Sequence, residues 1–479
     1  MNTKQIGFWL GIASFILILA LPAPDGLSRE GWVTLGLLAW MVIWWVSEAL
    51  PIGVTSLLPL VIVPLFKIAP LKTAAAEFAH PIIFLLLGGF MIGKSIERWN
   101  LHERIALKIL SRVGSHPTAL IGGFMITSAV LSMWISNSAT VIMLLPIVLS
   151  VAARTPFEPK DKKNFTLAAL LGTAWAASIG GLGTPVGTPP NLIVIGFLEG
   201  SGDMRFSFLR WMSVGLPVVL IMVPAAFLVL TKWGPKISET ARAPADLFSS
   251  QLKALGAMRR PERRVLIVFL IVALLWILRN PIQSITIGGT EPFSALSDAS
   301  IAIAGVVALF ALPSGSIKEP GTRLLDWPSA ASVPWDIILL FGGGLSLAAM
   351  IKVTGLSLWL GGELSFVASL HPVLMTLILV SFVLFFTELT SNTATTAALM
   401  PIIAAIALQT GADPATLAIP IALAASCAFM LPMATGPNAV IFGSGQITMG
   451  EMARAGFRLN LLGIVLITAA ASVILPMVL

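Results

Sequence analysis

The chain of 479 residues is 57% hydrophobic and only 11% charged, less than half the charged share of about 25% in an average soluble domain. A mean hydropathy of +0.95, sustained from end to end, excludes a soluble globular protein and points to an all-α polytopic membrane protein whose apolar surface faces the lipid bilayer. The 29 basic residues lie in short segments between apolar runs and form no stripe with interleaved aromatics, so no nucleic acid is expected as partner. The single cysteine, Cys427, excludes an intrachain disulfide, and four histidines leave little for zinc.

In chain order, runs long enough to cross or nearly cross a ~30 Å hydrocarbon core fall at 6–21, 32–47, 51–66, 81–97, 165–198, 208–231, 265–279, 299–313, 335–351, 414–446 and 457–478. They predict about 11 transmembrane helices. Two further stretches, 117–153 and 372–408, are each broken near the middle by Ser-Asn and read as re-entrant helical hairpins. Two arms return the chain to its starting side, so hydropathy alone also fits full crossing. The first run is followed at once by further membrane segments and has no small-residue cleavage site, so it is expected to be retained.

Placing the N-terminus in the cytoplasm puts 22 of the 29 basic residues inside and leaves Arg29, Lys67, Lys72, Arg205, Arg210, Arg279 and Lys352 outside. That bias predicts a cytoplasmic N-terminus, and a compact chain without long loops suits a bacterial inner membrane. Segment 232–264 reads as a basic cytoplasmic linker between two halves, its charge being an orientation signal near acidic headgroups.

The halves repeat. A shift of 255 residues lays His116-Pro117 on His371-Pro372, Ser136-Asn137 on Ser391-Asn392 and Pro146-Ile147 on Pro401-Ile402. At 247, Pro185, Thr188, Pro190, Asn191 and Gly196 fall on Pro432, Thr435, Pro437, Asn438 and Gly443. Five single spans separate the hairpins, an odd number, so the repeats are predicted to be inverted. Inverted repeats with broken helices at matching positions point to a secondary transporter with its site at the repeat interface.

Each Ser-Asn tip precedes a helical run, where side chains can cap and a helix N-terminus suits an anionic carboxylate. Gly187-Thr188-Pro189-Pro190-Asn191 and Ala434-Thr435-Gly436-Pro437-Asn438 interrupt apolar runs with prolines that free backbone carbonyls. Oxygen-only surroundings suit an alkali cation, and no Arg or Lys lies in the four motifs. One such pair alone would be ordinary helix-end chemistry; two in register, where unpaired polar groups are expensive, favour a ligand site.

Ser-Asn-Ser/Thr twice, each followed by Thr-x-Pro-Asn, resembles the divalent anion:sodium symporter family of INDY-type carboxylate transporters, over essentially the whole chain. The resemblance implies a homodimer in which each protomer has scaffold and transport domains and works by an elevator-type displacement. It implies that Asn137, Ser138, Thr188, Asn392, Thr393, Thr435 and Gly436 bind a dicarboxylate. One sodium ion would use Ser132, Ser136, Asn137 and Gly187, and the other Thr387, Thr390, Asn392 and Ala434. Sodium is thus co-transported, and no organic cofactor is implied. Ser138 stands where the family usually has threonine and Gly436 where it often has proline.

The resulting division is scaffold 1–115, transport 116–231, linker 232–264, scaffold 265–370 and transport 371–479. Glu388 reads as a structurally paired acid rather than a proton relay. Glu48 reads as a turn residue, and His116 and His371 as entry turns. Gly88-Gly89 and Gly342-Gly343-Gly344 lack a following Lys-Ser/Thr and read as close helix packing rather than a phosphate loop. The leading expectation is sodium-coupled symport of succinate, malate or fumarate and no enzymatic activity. A sodium-independent dicarboxylate or citrate exchanger of the same fold is the alternative, with a membrane-embedded enzyme as the outside option.

Overall fold

The computed structural model describes residues 2–201, 206–237, 241–244, 246–363 and 370–479. Arg205 lies outside them, as do parts of the three segments 116–231, 232–264 and 265–370. Among the described residues the chain is helices and loops, with β structure limited to the isolated bridges Ile287–Thr290 and Pro313–Arg323.

Thr3–Ala20 and Arg29–Ser47 pair antiparallel, with Gly7 against Ser47 and Gly11 against Trp44. The outer helix of this pair leaves Ile6, Trp9, Leu10, Ile16 and Leu17 exposed, as a lipid-facing stripe requires. By contrast, Pro159–Gly180 is buried throughout from Phe165 to Gly180, the expected place for a helix that is apolar all round. The run 51–66 is not one helix: Ile52–Thr55 ends and Leu58–Leu65 begins around Pro59, which has no N–H to continue the ladder.

Helices Pro81–Arg98 and Trp335–Val353 hold matching places, and each is followed by a shorter helix, Leu101–Leu110 and Leu356–Glu363. The turn between them uses a left-handed residue at the same repeat position, Asn100 (φ 53°) in one half and Gly355 (φ 73°) in the other. Asn and Gly are the residues that visit this region at least cost. The glycine clusters are packing surfaces. A β-carbon on Gly343 would lie 2.1 Å from the Ser56 carbonyl, and one on Gly88 2.6 Å from the Ala302 side chain.

The described part of segment 246–264 is docked on the helices beside it. Leu247–Ala254 packs on Leu101–Leu110, and buried Glu262 takes Arg104 Nε at 2.5 Å while Arg104 also donates to the Gly256 carbonyl at 2.9 Å. Arg259 of the segment's basic cluster also pairs with Glu262 and donates to the Trp99 carbonyl at 3.1 Å, so part of the charge predicted as an orientation signal is structural.

The hairpins are Pro117–Ser132 with Asn137–Arg154, and Pro372–Phe386 with Asn392–Thr410. As expected of entry turns, His116 and His371 occupy N-cap positions, and His371 Nδ1 accepts from Val373 N at 3.3 Å. Each second arm packs on the helix that follows the break of the other repeat: Asn137–Arg154 on Gly436–Gly443, and Asn392–Thr410 on Pro189–Ser201. This reciprocal crossing brings two hairpin tips and two breaks to one place.

Candidate functional site

At each tip the serine, not the asparagine, is the N-cap. Ser136 and Ser391 precede helices whose first residues are Asn137 and Asn392. Ser391 Oγ accepts from Ala394 N at 3.5 Å, whereas Ser136 makes no such bond and is exposed to the cavity.

The breaks open earlier than the prolines suggest. Pro159–Gly180 passes through the 3-10 turn Gly181–Gly183 before Pro189–Ser201 begins, and Pro414–Ala425 ends ten residues ahead of Gly436–Gly443. One side chain holds each loop. Asn191 Nδ2 donates to the carbonyls of Gly181 (2.9 Å) and Thr184 (2.8 Å), and Asn438 Nδ2 to those of Ala428 and Leu431 (both 3.1 Å). These partners match residue for residue between repeats. The last helix of each repeat then seals the loop with a glycine: Gly215 meets the Leu182 carbonyl and Gly456 the Phe429 carbonyl, where a β-carbon would come within 2.1 and 2.2 Å.

The four motifs line one cavity of about 790 Å³. Of the residues picked out from sequence, Ser136, Asn137, Ser138, Gly187, Thr188, Thr390, Asn392, Thr393, Ala434, Thr435 and Gly436 are on its wall. Ser132 and Thr387 are not; both are fully buried one turn behind the tips. The cavity is also lined by Thr3, Lys4, Ser47 and Glu48 and by Phe90, Lys94 and Glu97. Both lysines there are paired, Lys4 with Glu48 at 3.4 Å and Lys94 with Glu97 at 2.8 Å. Glu48 is the left-handed C-cap of Arg29–Ser47, in keeping with a turn residue.

The buried oxygens around the tips suit a cation. In the first repeat Ser132 Oγ and Asn137 Oδ1 are buried with no hydrogen-bond partner among the described residues, and buried polar atoms left so are costly. Gly181, whose absent side chain leaves room beside Asn137 Oδ1 and the Gly187 carbonyl, completes that corner. In the second repeat the equivalent oxygens close on one hydroxyl: Thr387 Oγ1 lies 2.7 Å from Asn392 Oδ1 and 3.0 Å from the Ala425 carbonyl. A hydroxyl has a single proton to give, so one of those two acceptors is left wanting.

Sequence reasoning missed several members of the site. Ser178 and Ser426 reach the cavity from the helices that precede the breaks, and Ser426 Oγ is buried without a partner among the described residues. A lone serine in an apolar run carries no motif. Asn191 and Asn438 were visible in the repeat, but nothing in their spacing showed that they clasp the loops. Glu388 is structurally engaged, as expected: its carboxylate accepts from Phe429 N, Met430 N, Leu431 N and Asn460 Nδ2.

The sequence matches the family described as sodium:sulfate symporter transmembrane region over residues 2–479. It is 38% identical over 483 residues to the sodium-dependent dicarboxylate transporter SdcS of Staphylococcus saprophyticus, covering 99% of this chain and 92% of that protein. It is 37% identical over 484 residues to the protein of the same name from Staphylococcus aureus strain USA300, with the same coverage. The fold is similar to that of the Alcanivorax borkumensis YdaH transporter, with a TM-score of 0.62 at 13% identity, covering 100% of this chain and 99% of that one. The chain is thus a multi-pass membrane transporter and not an enzyme. It belongs to the sodium:sulfate symporter family, the divalent anion:sodium symporters that its motifs resemble.

Proposed function

We propose that the protein is a sodium-coupled symporter of C4-dicarboxylates such as succinate, malate and fumarate. The observation that carries this is the convergence of two Ser-Asn tips and two Thr-x-Pro-Asn breaks on one cavity, with neutral oxygen and amide donors and with orphaned oxygens behind the first tip. Asn137, Ser138, Thr188, Asn392, Thr393, Thr435 and Gly436 hold the substrate. Ser132, Ser136, Asn137 and Gly187 hold one sodium ion, and Thr387, Thr390, Asn392 and Ala434 the other. The names of the staphylococcal relatives support both sodium and dicarboxylate. Sodium neutralises the dianion before it enters low dielectric, where an uncompensated charge is expensive.

The hairpins, broken helices and following helices (116–231 and 371–479) form the transport domain, and 1–115 with 265–370 the scaffold, in an inverted repeat. The transport domain moves elevator-fashion in a homodimer, in a cell inner membrane with the N-terminus cytoplasmic. The Lys4, Glu48, Lys94 and Glu97 wall is on the side that the basic-residue bias assigns to the cytoplasm, which supports an inward-facing state. Labelled succinate uptake into proteoliposomes tests the reading: an inward sodium gradient is expected to drive accumulation. Uptake that ignores sodium and needs internal counter-substrate would favour the exchanger.

A further inference from the structure

We propose that Lys94, on the helix Pro81–Arg98, is a docking point for the substrate's carboxylate on its way into and out of the cavity, and that it serves one face of the membrane only. The proposal rests on the transport reading above and adds a positioning residue to it. Gly89, Phe90, Gly93, Lys94 and Glu97 all line the cavity, positions that share one face of a helix. That face touches the site. A β-carbon on Gly89 would lie 2.8 Å from the Val186 side chain, next to Gly187 of the first break. One on Gly93 would lie 3.6 Å from the carbonyl of Trp134, two residues before Ser136. Lys94 follows directly in the chain, and Glu97 lies ~6 Å further along the axis than Gly93 at 1.5 Å per residue. Among the described residues that line the cavity, the positive ones are Lys94 and Lys4, and a dianion entering between neutral motifs meets one of them first.

Its pairing leaves Lys94 able to act. Lys94 Nζ meets Glu97 Oε2 at 2.8 Å, with the two side chains 29% and 21% exposed. A pair of helix neighbours in contact with solvent is held weakly, and an ammonium has three protons to give. A substrate carboxylate can take a second proton of Lys94 beside Glu97, or take the place of Glu97. When no substrate is bound, Glu97 neutralises the lysine, so the helix presents no bare charge to the motifs that move past it. Lys4 is the weaker candidate, because it meets Glu48 at 3.4 Å and its side chain is 62% exposed, where solvent and salt screen it more.

The second repeat has no such pair. Counted from Gly88-Gly89 and Gly342-Gly343, the Lys94 position is Ala348 and the Glu97 position is Ile351. The matching helix face is closed. Gly344 and Ala348, at the places of Phe90 and Lys94, line a small apolar gap against Ile193, Phe197, Ala397 and Met400. Alternating access in an inverted repeat opens the site to the opposite face along the other half, and there the path runs beside Ala348 and Ile351, which carry no charge. A dicarboxylate is thus met by a lysine from the face to which this cavity opens, and by neutral groups at the matching positions from the other.

Intact cells carrying the full chain take up labelled succinate from the outer face, and inverted membrane vesicles take it up from the cytoplasmic face, so the two KM values are read separately. Lys94→Gln is expected to raise the cytoplasmic-face KM about three- to fivefold, and to leave the outer-face KM and the sodium dependence within about twofold. Glu97→Gln, which frees the lysine, should lower the cytoplasmic-face KM, and Lys94→Arg should keep it near the native value. Opposite signs from the two partners are not what a purely structural pair would give. Added choline chloride at fixed sodium should raise the native cytoplasmic-face KM and lose that effect in Lys94→Gln. Lys4→Gln should have the smaller effect. An unmoved cytoplasmic-face KM in Lys94→Gln, an equal rise at both faces, or a rise in Glu97→Gln as large as in Lys94→Gln would overturn the assignment, while sodium-driven succinate uptake by the native protein stands. Native protein that takes up no succinate under a sodium gradient in either preparation would overturn the transport reading, and this inference with it.

Discussion

Gly436 of the second break stands against Ser138 of the first hairpin so closely that a β-carbon on the glycine would lie 2.1 Å from the serine hydroxyl. The contact joins opposite repeats, and it couples the two positions that the resemblance marks as departures from the usual family residues. The smaller residue at each leaves room for the other.

Gly436→Ala should therefore act through Ser138. The clashing atom is the free end of a short side chain, so the serine can rotate away and the protein should still fold, with its hydroxyl turned from the cavity. Substrate KM should rise several-fold with little change in sodium dependence. Ser138→Ala should cost less in the Gly436→Ala background than in the native one, since the two changes remove the same interaction. Strictly additive effects on KM would show that the hydroxyl is not what the extra methyl displaces.

The asparagine clasps make a second prediction. Asn191→Ala or Asn438→Ala takes the amide donor from two loop carbonyls; Thr184 and Leu431 keep a backbone N–H at 3.3 Å, so the cost falls on the Gly181 or Ala428 carbonyl, at roughly 1 to 3 kcal/mol for an unsatisfied group. Asp at either position should be worse than Ala, because it turns acceptor oxygens toward carbonyl oxygens. Thermal unfolding in detergent would rank the variants. An Asp variant as stable as the native protein would mean that the amide hydrogens are not what holds the break.

Much of this site was legible because duplication places polar residues twice in an apolar setting where chance does not. Ser136-Asn137, Ser391-Asn392 and the two Thr-x-Pro-Asn breaks line the cavity as the repeat suggests. The true start of each break was not legible: Gly181 and Ser426 carry no proline signal, and each loop is shaped by an asparagine ten residues beyond the carbonyl it holds, that of Gly181 or Ala428. Leu101–Leu110 was missed because it is short and amphipathic, so neither its length nor its hydropathy marks a span. The division of 51–66 was visible in Pro59, which a hydropathy sum ignores.

Helix packing supplies a third test. A β-carbon on Gly343 meets the Ser56 backbone carbonyl at 2.1 Å, whereas one on Gly443 meets nothing within 4 Å among the described residues. Backbone cannot rotate aside as a side chain can, so Gly343→Ala should destabilise by about 1 to 3 kcal/mol through overpacking. Gly443→Ala, late in a short helix, should be near neutral or slightly stabilising. Unfolding temperatures compared in one detergent would separate the two; equal temperatures would mean that the Trp335–Val353 helix yields more readily than its close approach to Ser56 implies.

The tips themselves make the last prediction. Asn137→Ala and Asn392→Ala should each abolish coupled transport, because one amide can offer its oxygen to sodium and its NH₂ to a carboxylate. Buried hydrogen bonds to charged groups are worth ~1.5 to 3 kcal/mol each, which corresponds to roughly 10- to 150-fold in affinity. Thr140→Ala, one turn further in, should be mild, since its hydroxyl makes no hydrogen bond among the described residues. Thr395→Ala should be intermediate: its hydroxyl lies 2.6 Å from that of Thr390, which it steadies at the cavity wall. Sodium and succinate binding by the four purified variants checks the order. Near-native binding of both ligands by Asn137→Ala and Asn392→Ala would displace the site from the hairpin tips, whatever became of Thr140 and Thr395.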